Sequence, residues 1–324
     1  MHGGNAMNMC MRSLIGAMAA LFGAGIAHAS CGSAFCVLDT NWSTQGVANE
    51  PGTVRLDLRY EFIDQKHLRS GSRQISASED MGDTTELRTT NRNLLGTLDY
   101  ALTNNWTVSA AAPIVSRSHS HIADPAGAAN VEAWNFTKIG DLRLLAFYRF
   151  DNPDPMVNYG LITGLKLPTG DYRVRNAEGT MAERALQPGT GSTDLVLGGY
   201  YSAPAAHLDS SWFAQALVQQ AAATKDGFKP GAQYLLNLGY RHPVSESWHA
   251  LVQVNASIKG RDAGVNAEPD LSGSNTVFLS PGLGYALSRD AQLYGYVQLP
   301  VYRRVNGVQL SANWAAIAGV SVRF

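Results

Sequence analysis

The chain has 324 residues, of which 45% are hydrophobic and only 16% are charged, against about 25% charged residues in an ordinary soluble domain. Its 25 lysines and arginines balance 26 aspartates and glutamates, which gives a formal net charge of -1. A chain without a basic excess or a basic run lacks the electrostatic signature of a nucleic-acid-binding protein. We therefore expect no nucleic-acid partner.

The first 29 residues are typical of an export signal. Arg12 precedes the apolar run Leu14 to Ile26, which is too short to cross a bilayer as a helix, and small residues before Ser30 predict cleavage there. We assign residues 1–29 to a signal peptide. Acylation of Cys31 as a lipoprotein is the alternative, but His28 occupies the place where lipoproteins carry a branched aliphatic residue.

Residues 30–52 are expected to form an N-terminal extension on the periplasmic side. Cys31 and Cys36 are the only cysteines after the signal segment, and export to an oxidising compartment predicts that they form a disulfide. The extension could enter the barrel described below as a lumen plug, or it could be a disordered tether. Metal binding by the two cysteines would require at least two further ligands.

The remaining residues, 53–324, alternate between apolar and polar side chains with a period of two, as β-strands do. The clearest segment is Val54 to Phe62, and Asp141 to Phe150 and Gln233 to Arg241 follow the same rule. Nine further strands are predicted at Leu94 to Tyr100, Trp106 to Ser116, Met156 to Leu167, Asp194 to Tyr201, Trp212 to Ala222, Trp248 to Ile258, Val277 to Tyr285, Leu293 to Val301 and Leu310 to Phe324. No apolar run reaches about 18 residues, the length that a transmembrane helix requires.

Connections between these strands alternate in length. Short ones repeat an aliphatic residue followed by a hydroxyl residue, at Leu102-Thr103, Val244-Ser245 and Leu287-Ser288. Long polar stretches lie between them at Asp64 to Thr84, Ile122 to Asn135, Tyr172 to Ser192, Thr224 to Gly231 and Arg261 to Gly273. Short turns on one side and long loops on the other are typical of an outer-membrane barrel. The predicted fold is all-β, a single antiparallel transmembrane β-barrel of about 12 strands following a cleaved signal peptide.

The alternative fold is a soluble β-sandwich, whose strands also alternate between apolar and polar residues and are also joined by turns. Its strands are typically about five or six residues long, whereas these approach ten. The barrel reading predicts the outer membrane of a Gram-negative type of cell, with both termini periplasmic and outer-membrane lipid as a partner. Trp106, Trp248, Tyr100 and Tyr285 lie beside short turns, where an aromatic girdle would meet the membrane interface.

The last predicted strand carries apolar residues at alternate positions and ends in Phe324. Such a segment resembles the assembly signal of bacterial outer-membrane barrels. It predicts recognition by the barrel-assembly machinery through Phe324.

Candidate catalytic and ligand-binding patterns are weak. The segment Ser118 to His121 lacks the Asn-Gly that follows His-x-Ser in the outer-membrane phospholipases. His119 and His121 share a strand face with Arg117, and a neighbouring cation disfavours metal binding. The loop Pro188 to Ser192 could cradle a phosphate, but it precedes a strand rather than a helix, so we expect a flexible turn. The sequence predicts no catalytic residue, no metal site, no cofactor and no enzyme activity.

The side chains at inward positions define the predicted solute path. Most of them are cationic or aromatic, which suits a small amphipathic or aromatic solute, although a small barrel also fills its interior with paired charges for stability alone. The path residues are Arg55, Arg59, Arg117, His119, His121, Arg143, Lys166, Tyr294, Tyr296 and Tyr302.

Three motifs carry a family resemblance. Gly140 to Arg143 reads GDLR, Gly164 to Asp171 reads GLKLPTGD, and Leu186 to Asp194 reads LQPGTGSTD. In their residues and in their order along the chain, these motifs resemble those of the outer-membrane proteins of the meta-pathway phenol-degradation family. The likeness extends over roughly Arg55 to Phe324. The resemblance implies a barrel and a transport role without naming a substrate.

Two functions therefore remain open. The first is a channel or transporter through which small hydrophobic or aromatic compounds pass passively. The second is a non-transport barrel, structural, adhesive or enzymatic, that acts through its extracellular loops.

Overall fold

The structure, a computed structural model, describes residues 50–80, 82, 84–123, 130–205 and 210–324. Two sequence-based predictions lie outside these residues: the signal peptide 1–29 and the disulfide between Cys31 and Cys36. Only the last three residues of the extension 30–52 are described. The fold below concerns the barrel.

Thirteen long strands make up the sheet. Their bounds are β1 Val54–Ser70, β2 Thr84–Ala101, β3 Trp106–Ala123, β4 Asn130–Ile139, β5 Leu142–Arg149, β6 Asn158–Leu167, β7 Ser192–Pro204, β8 Ser211–Thr224, β9 Gln233–Pro243, β10 Trp248–Lys259, β11 Ser274–Ala286, β12 Ala291–Val305 and β13 Val308–Arg323. Each pairs antiparallel with its neighbours, and β4 and β5 both pair with β3 as two halves of one interrupted strand. Because β13 also pairs with β1, the sheet closes into a barrel of twelve strands. The predicted fold class is confirmed.

Short elements decorate the ends of the barrel. Arg73–Gln74 adds two residues to the edge of β1, and Phe228–Lys229 pairs with Ala263–Gly264. Two 3₁₀ helices span Ala77–Glu79 and Arg184–Leu186. Among the described residues, no helix is long and apolar enough to cross a bilayer.

The three short connections that share a sequence pattern also share a structure. In each, the N–H of the aliphatic residue donates to the carbonyl four residues on, as from Leu102 to Trp106 at 2.9 Å. The hydroxyl residue then accepts from backbone N–H groups of the turn, and Thr103 Oγ1 receives the N–H groups of Asn105 and Trp106 at 3.2 and 3.0 Å. Ser245 and Ser288 repeat this arrangement. We call this end of the barrel the turn end and the opposite end the loop end.

Strands on one side of the barrel extend further toward the loop end than the sequence indicates. β1 continues to Ser70, and β4 begins at Asn130, although alternation predicts loops at Asp64 to Thr84 and Ile122 to Asn135. The alternation rule recognises a strand by one apolar face. These segments carry polar side chains on both faces, so the rule does not detect them. They are strands because they pair with a neighbour: the end of β1 pairs with β13, and β4 pairs with β3.

The outer surface of the barrel is apolar and exposed. On β1, for example, Leu56, Leu58 and Tyr60 are each close to half exposed, while Asp57, Arg59 and other polar residues between them are buried. Rings cluster near the turn end, where Trp106 packs on Tyr148 and other pairs join Trp212 to Tyr240 and Trp248 to Tyr285. This inversion of the usual pattern fits a surface in contact with hydrocarbon, with an aromatic belt at the interface.

Candidate functional site in the barrel lumen

A packed cluster of large side chains lies on the inner side of the barrel wall. Phe213, Leu251, Tyr294, Tyr296 and Ile317 come from β8, β10, β12 and β13 and are all buried. The rings of Tyr294 and Tyr296 stack with centroids 5.8 Å apart and planes 20° apart. We call this cluster the aromatic waist.

Glycines on neighbouring strands make room for the rings of the waist. A Cβ at Gly239 would overlap ring carbons of Phe213, and a Cβ at Gly319 would overlap the phenol of Tyr294. Each glycine directly faces the strand that carries the ring, in the pairs Gly239 with Phe213 and Tyr294 with Gly319. The rings therefore lie against the barrel wall because the wall has no side chain beneath them.

Charged side chains of β1 lie next to the waist, and one of them accepts a hydrogen bond from it. The Tyr294 hydroxyl donates to the Asp57 carboxylate and lies 2.9 Å from both of its oxygens. Arg59 forms an ion pair with Glu61 at 2.9 Å, and both side chains are buried. Beyond them toward the loop end lies a second apolar cluster of Ile162, Val196, Leu217, Leu235 and Phe278.

Two cavities flank this packed region. The turn-end cavity has a volume of about 640 Å³ and extends inward to Phe213, Leu251 and Tyr294. The loop-end cavity is smaller, about 40 Å³, and lies beside Gln65 and Phe278. Tyr294 and Tyr296 are only 7% and 4% exposed, so the waist side chains pack tightly against one another.

The connection between β6 and β7 folds onto inward side chains at the loop end. Within residues 168–191, Val174, Ala182 and Leu186 are buried. Arg117 on β3 donates to the Leu186 carbonyl at 2.5 Å. The Gln187 side chain, in turn, accepts from the Val174 N–H at 2.8 Å and donates to the Ala182 carbonyl at 2.7 Å. We call residues 168–191 the inward loop.

A buried charge cluster fastens this inward loop to the wall. Lys166 Nζ on β6 lies 3.1 Å from Asp141 Oδ2 and 3.0 Å from Asp194 Oδ2, and all three side chains are almost inaccessible. Thr190 of the loop joins them, because its N–H and its hydroxyl each donate to Asp141 Oδ2 at 2.9 Å. Ser192 Oγ lies 3.1 Å from Lys166 Nζ.

The three family-like motifs meet at this cluster. Asp141 comes from the first motif, Lys166 from the second, and Thr190 and Asp194 from the third. The second motif ends β6 and the third begins β7, as predicted. Pro188 to Ser192 is not the flexible turn that its glycines suggest, because Gly189 packs backbone to backbone on Gly170 and Asp141 holds Thr190.

Two histidines lie where β3 meets the inward loop. His119 Nε2 is 3.3 Å from His121 Nδ1, and Thr89 Oγ1 hydrogen-bonds His119 Nδ1 at 2.8 Å. The Trp134 ring covers both imidazoles, with centroids 5.8 and 5.0 Å away. The residues that the structure describes contain no group of three or more side chains arranged to hold a metal ion.

Arg184 fixes the far side of the inward loop. Its guanidinium pairs with Asp226 at 2.6 Å and lies over the rings of Phe228 and Tyr172 at 4.4 and 5.2 Å. Burial lowers the pKa of this guanidinium, whereas the charge of Asp226 opposes that shift. Charge-assisted hydrogen bonds and stacked rings of this kind hold a loop in one place.

The structure places most of the predicted path residues on the inner side of the wall, but it separates them along the barrel. Near the turn end and the waist lie Arg55, Arg59, Tyr294 and Tyr296, and toward the loop end lie Arg117, His119, His121 and Lys166, all of them buried. Arg143 is partly buried and donates to Gln219 Oε1 at 2.6 Å. They form separate clusters, not one continuous line of groups.

The inward orientation predicted for Tyr302 is wrong. Its side chain is 46% exposed, because the register between β11 and β12 shifts: Val277 pairs with Tyr302, whereas Phe278 pairs with Pro300. One extra residue in a β-bulge reverses the faces of all positions beyond it. Arg303 then takes the inward position, and its guanidinium donates to the Ala312 carbonyl.

The predicted path omitted three residues that the structure makes prominent. Phe213 forms part of the waist, Asp141 holds the charge cluster, and Arg241 lines the turn-end cavity. Asp141 and Arg241 stand at inward positions by alternation, so the sequence held a signal for them. Phe213 had none, because the phase of its strand is ambiguous in the sequence.

Comparison with known proteins agrees with this architecture. A model of the protein family described as "Putative MetA-pathway of phenol degradation" matches residues 119–324, which is more than half of the chain. The chain belongs to this family. The predicted resemblance is thereby confirmed.

Solved structures of similar fold include outer-membrane barrels. The COG4313 outer membrane channel from Pseudomonas putida F1 has a TM-score of 0.67 at 15% identity, and the match covers 89% of this chain and 100% of that one. The transport unit of the autotransporter AIDA-I from Escherichia coli has a TM-score of 0.50 at 9% identity, with coverage of 90% and 95%. At these identities the likeness concerns the fold. No curated protein matches the sequence.

Proposed function

We propose that this chain is an outer-membrane channel that admits small hydrophobic or aromatic compounds through its lumen. The observation that carries the proposal is the turn-end cavity of about 640 Å³, which lies inside a closed barrel and ends on aromatic rings. Pockets of this size and lining suit small ligands. The COG4313 outer membrane channel, which has a similar fold, is itself described as a channel. The proposal includes no enzyme activity and no cofactor.

The proposed orientation places the turn end, and with it both chain termini, in the periplasm. Barrels of this class carry short periplasmic turns and longer extracellular loops. Phe324 lies at the seam between β13 and β1, where its N–H donates to the Val54 carbonyl at 2.8 Å, and we assign to it recognition by the barrel-assembly machinery. The same proposal assigns residues 1–29 to a cleaved signal and 30–52 to an extension that begins in the periplasm.

The proposed route passes beside the packed waist. Tyr296 and Val297 offer a matched pair for a test, because they are neighbours on β12 but Tyr296 is 4% and Val297 is 42% exposed. We expect Tyr296→Trp to change the uptake of toluene several-fold, because it alters the volume of the waist. Val297→Trp faces lipid and should leave uptake unchanged.

The assay measures toluene uptake by cells that lack the chromosomal copy and carry either variant, together with the current through purified protein in planar bilayers. Both variants must show the slower gel mobility after boiling that marks a folded barrel. If the deletion leaves uptake unaltered and the purified parent conducts no ions, the channel proposal fails. The barrel would then act through its extracellular loops.

Orientation has a separate test. An epitope inserted in the loop 261–273 should be labelled on intact cells, whereas the same epitope in the turn 244–247 should be labelled only after lysis. Labelling in the reverse pattern would contradict the proposed orientation.

A further inference from the structure

Cationic side chains dominate the ionisable lining of the turn-end cavity. Four arginines face it, Arg55, Arg241, Arg289 and Arg323, against the single carboxylate of Asp290. A concave surface with low-dielectric walls and one sign of charge concentrates ions of the opposite sign. The lining therefore favours an anion.

Two of these arginines are already matched by protein carboxylates. Arg323 donates twice to Asp290 Oδ1, from Nη2 at 2.7 Å and from Nε at 3.0 Å. Arg55 lies within electrostatic range of Asp99 and Asp57 as well as of Arg323. The positive charges of Arg323 and Arg55 are therefore balanced by carboxylates of the protein itself.

Arg241 differs from both. It follows Gly239 at the next inward position of β9, and its side chain is exposed to the cavity. No hydrogen bond or ion pair joins its guanidinium to another described residue. Its planar fork of donors lines the cavity, and such a fork matches a carboxylate with two parallel hydrogen bonds.

The inner end of the same cavity is lined mainly by apolar groups. Phe213 and Tyr294 present rings to it, with Leu251 beside them. Gly239 lies between the two kinds of surface, because it faces Phe213 across the strands and precedes Arg241 by two positions. A cation and an aromatic surface thus share one cavity large enough for a small molecule.

We propose that the turn-end cavity is a binding site for a single-ring arene carboxylate. The carboxylate pairs with the Arg241 guanidinium, and the ring rests on Phe213 and Tyr294. A neutral hydrocarbon would leave the cation without a counter-charge, and a small inorganic anion would leave the rings uncovered. The use of this site in transport rests on the proposed channel function, but binding itself does not.

Titration calorimetry of the full chain in detergent tests the proposal, with sodium benzoate, sodium acetate and toluene as probes. We expect saturable binding of benzoate, at least about tenfold tighter than that of acetate or toluene. Arg241→Gln should weaken benzoate binding about tenfold or more, which is the effect of losing one charge-assisted pair. Arg304→Gln is the matched control, because Arg304 is exposed near the loop end of β12.

Slower gel mobility after boiling verifies that each variant is folded. Should Arg241→Gln not fold, Arg241→Lys keeps the charge but loses the fork, and it should bind benzoate more weakly than the parent. In the parent, added sodium chloride should weaken benzoate binding, since exposed charge pairs are screened by salt.

Absence of benzoate binding to the parent, unchanged binding to folded Arg241→Gln, or equal affinity for toluene would each overturn the site. These outcomes are distinct from failure of the channel. A protein that conducts and imports toluene but does not bind benzoate keeps the channel and loses the site. A protein that binds benzoate but neither conducts nor imports keeps the site and loses the channel.

Discussion

Replacing Lys166 with methionine should loosen the inward loop and destabilise the barrel. Lys166 Nζ is the cation that Asp141 and Asp194 share, and the three side chains are between 0% and 3% exposed. Methionine has a similar shape but no charge, so Lys166→Met leaves two buried carboxylates beside each other. Removal of one partner from a buried ion pair typically costs about 3–5 kcal/mol.

The structure favours the lower end of that range. Asp141 keeps the N–H of Gly170 and both donors of Thr190, and Asp194 keeps the Ser192 hydroxyl and the Gln219 amide. Each carboxylate therefore retains hydrogen bonds when the lysine is gone. We expect the free energy of unfolding to fall by about 3 kcal/mol.

The assay follows the urea midpoint by the change in gel mobility that accompanies loss of the barrel. Limited trypsin digestion reports on the inward loop, in which Arg173 and Arg175 are potential cleavage sites. Lys166→Met should lower the midpoint and speed cleavage. Neutralising one carboxylate as well, in Lys166→Met with Asp194→Asn, should recover part of the loss, because two like charges then no longer face each other. Asp194 suits this change because one of its two partners is the Ser192 hydroxyl, which can donate or accept. A single variant with the parent's midpoint and cleavage rate would refute the assigned role of the cluster.

Three further changes test the waist and the wall by the same urea assay. Tyr294→Phe should cost about 1.5–3 kcal/mol, because it removes the hydroxyl that donates to Asp57; an unchanged midpoint would contradict that bond. Gly239→Ala should cost about 1–3 kcal/mol, because its Cβ would overlap the Phe213 ring, and a neutral effect would show that the ring moves freely. Leu144→Arg should cost roughly 2–4 kcal/mol if this exposed residue faces the bilayer midplane, and normal yield and stability would argue against lipid there.

The sequence by itself determined the class and topology of the barrel. Alternation with a period of two marks every strand that has one apolar face, as in Val54 to Phe62, and that rule depends only on local geometry. The hydroxyl residues of the short turns act within four residues of chain, so Thr103 and its equivalents could also be recognised. Local rules are visible in a sequence because their partners are close along the chain.

Only the tertiary structure decided which inward residues act together. The bulge between β11 and β12 reverses Tyr302, and nothing in the alternation reveals the inserted residue. Asp141, Lys166 and Thr190 meet across separations of more than twenty residues, as do Gly239 and Phe213. Strand register and loop folding set these contacts, and both depend on the closure of the whole sheet rather than on any one segment.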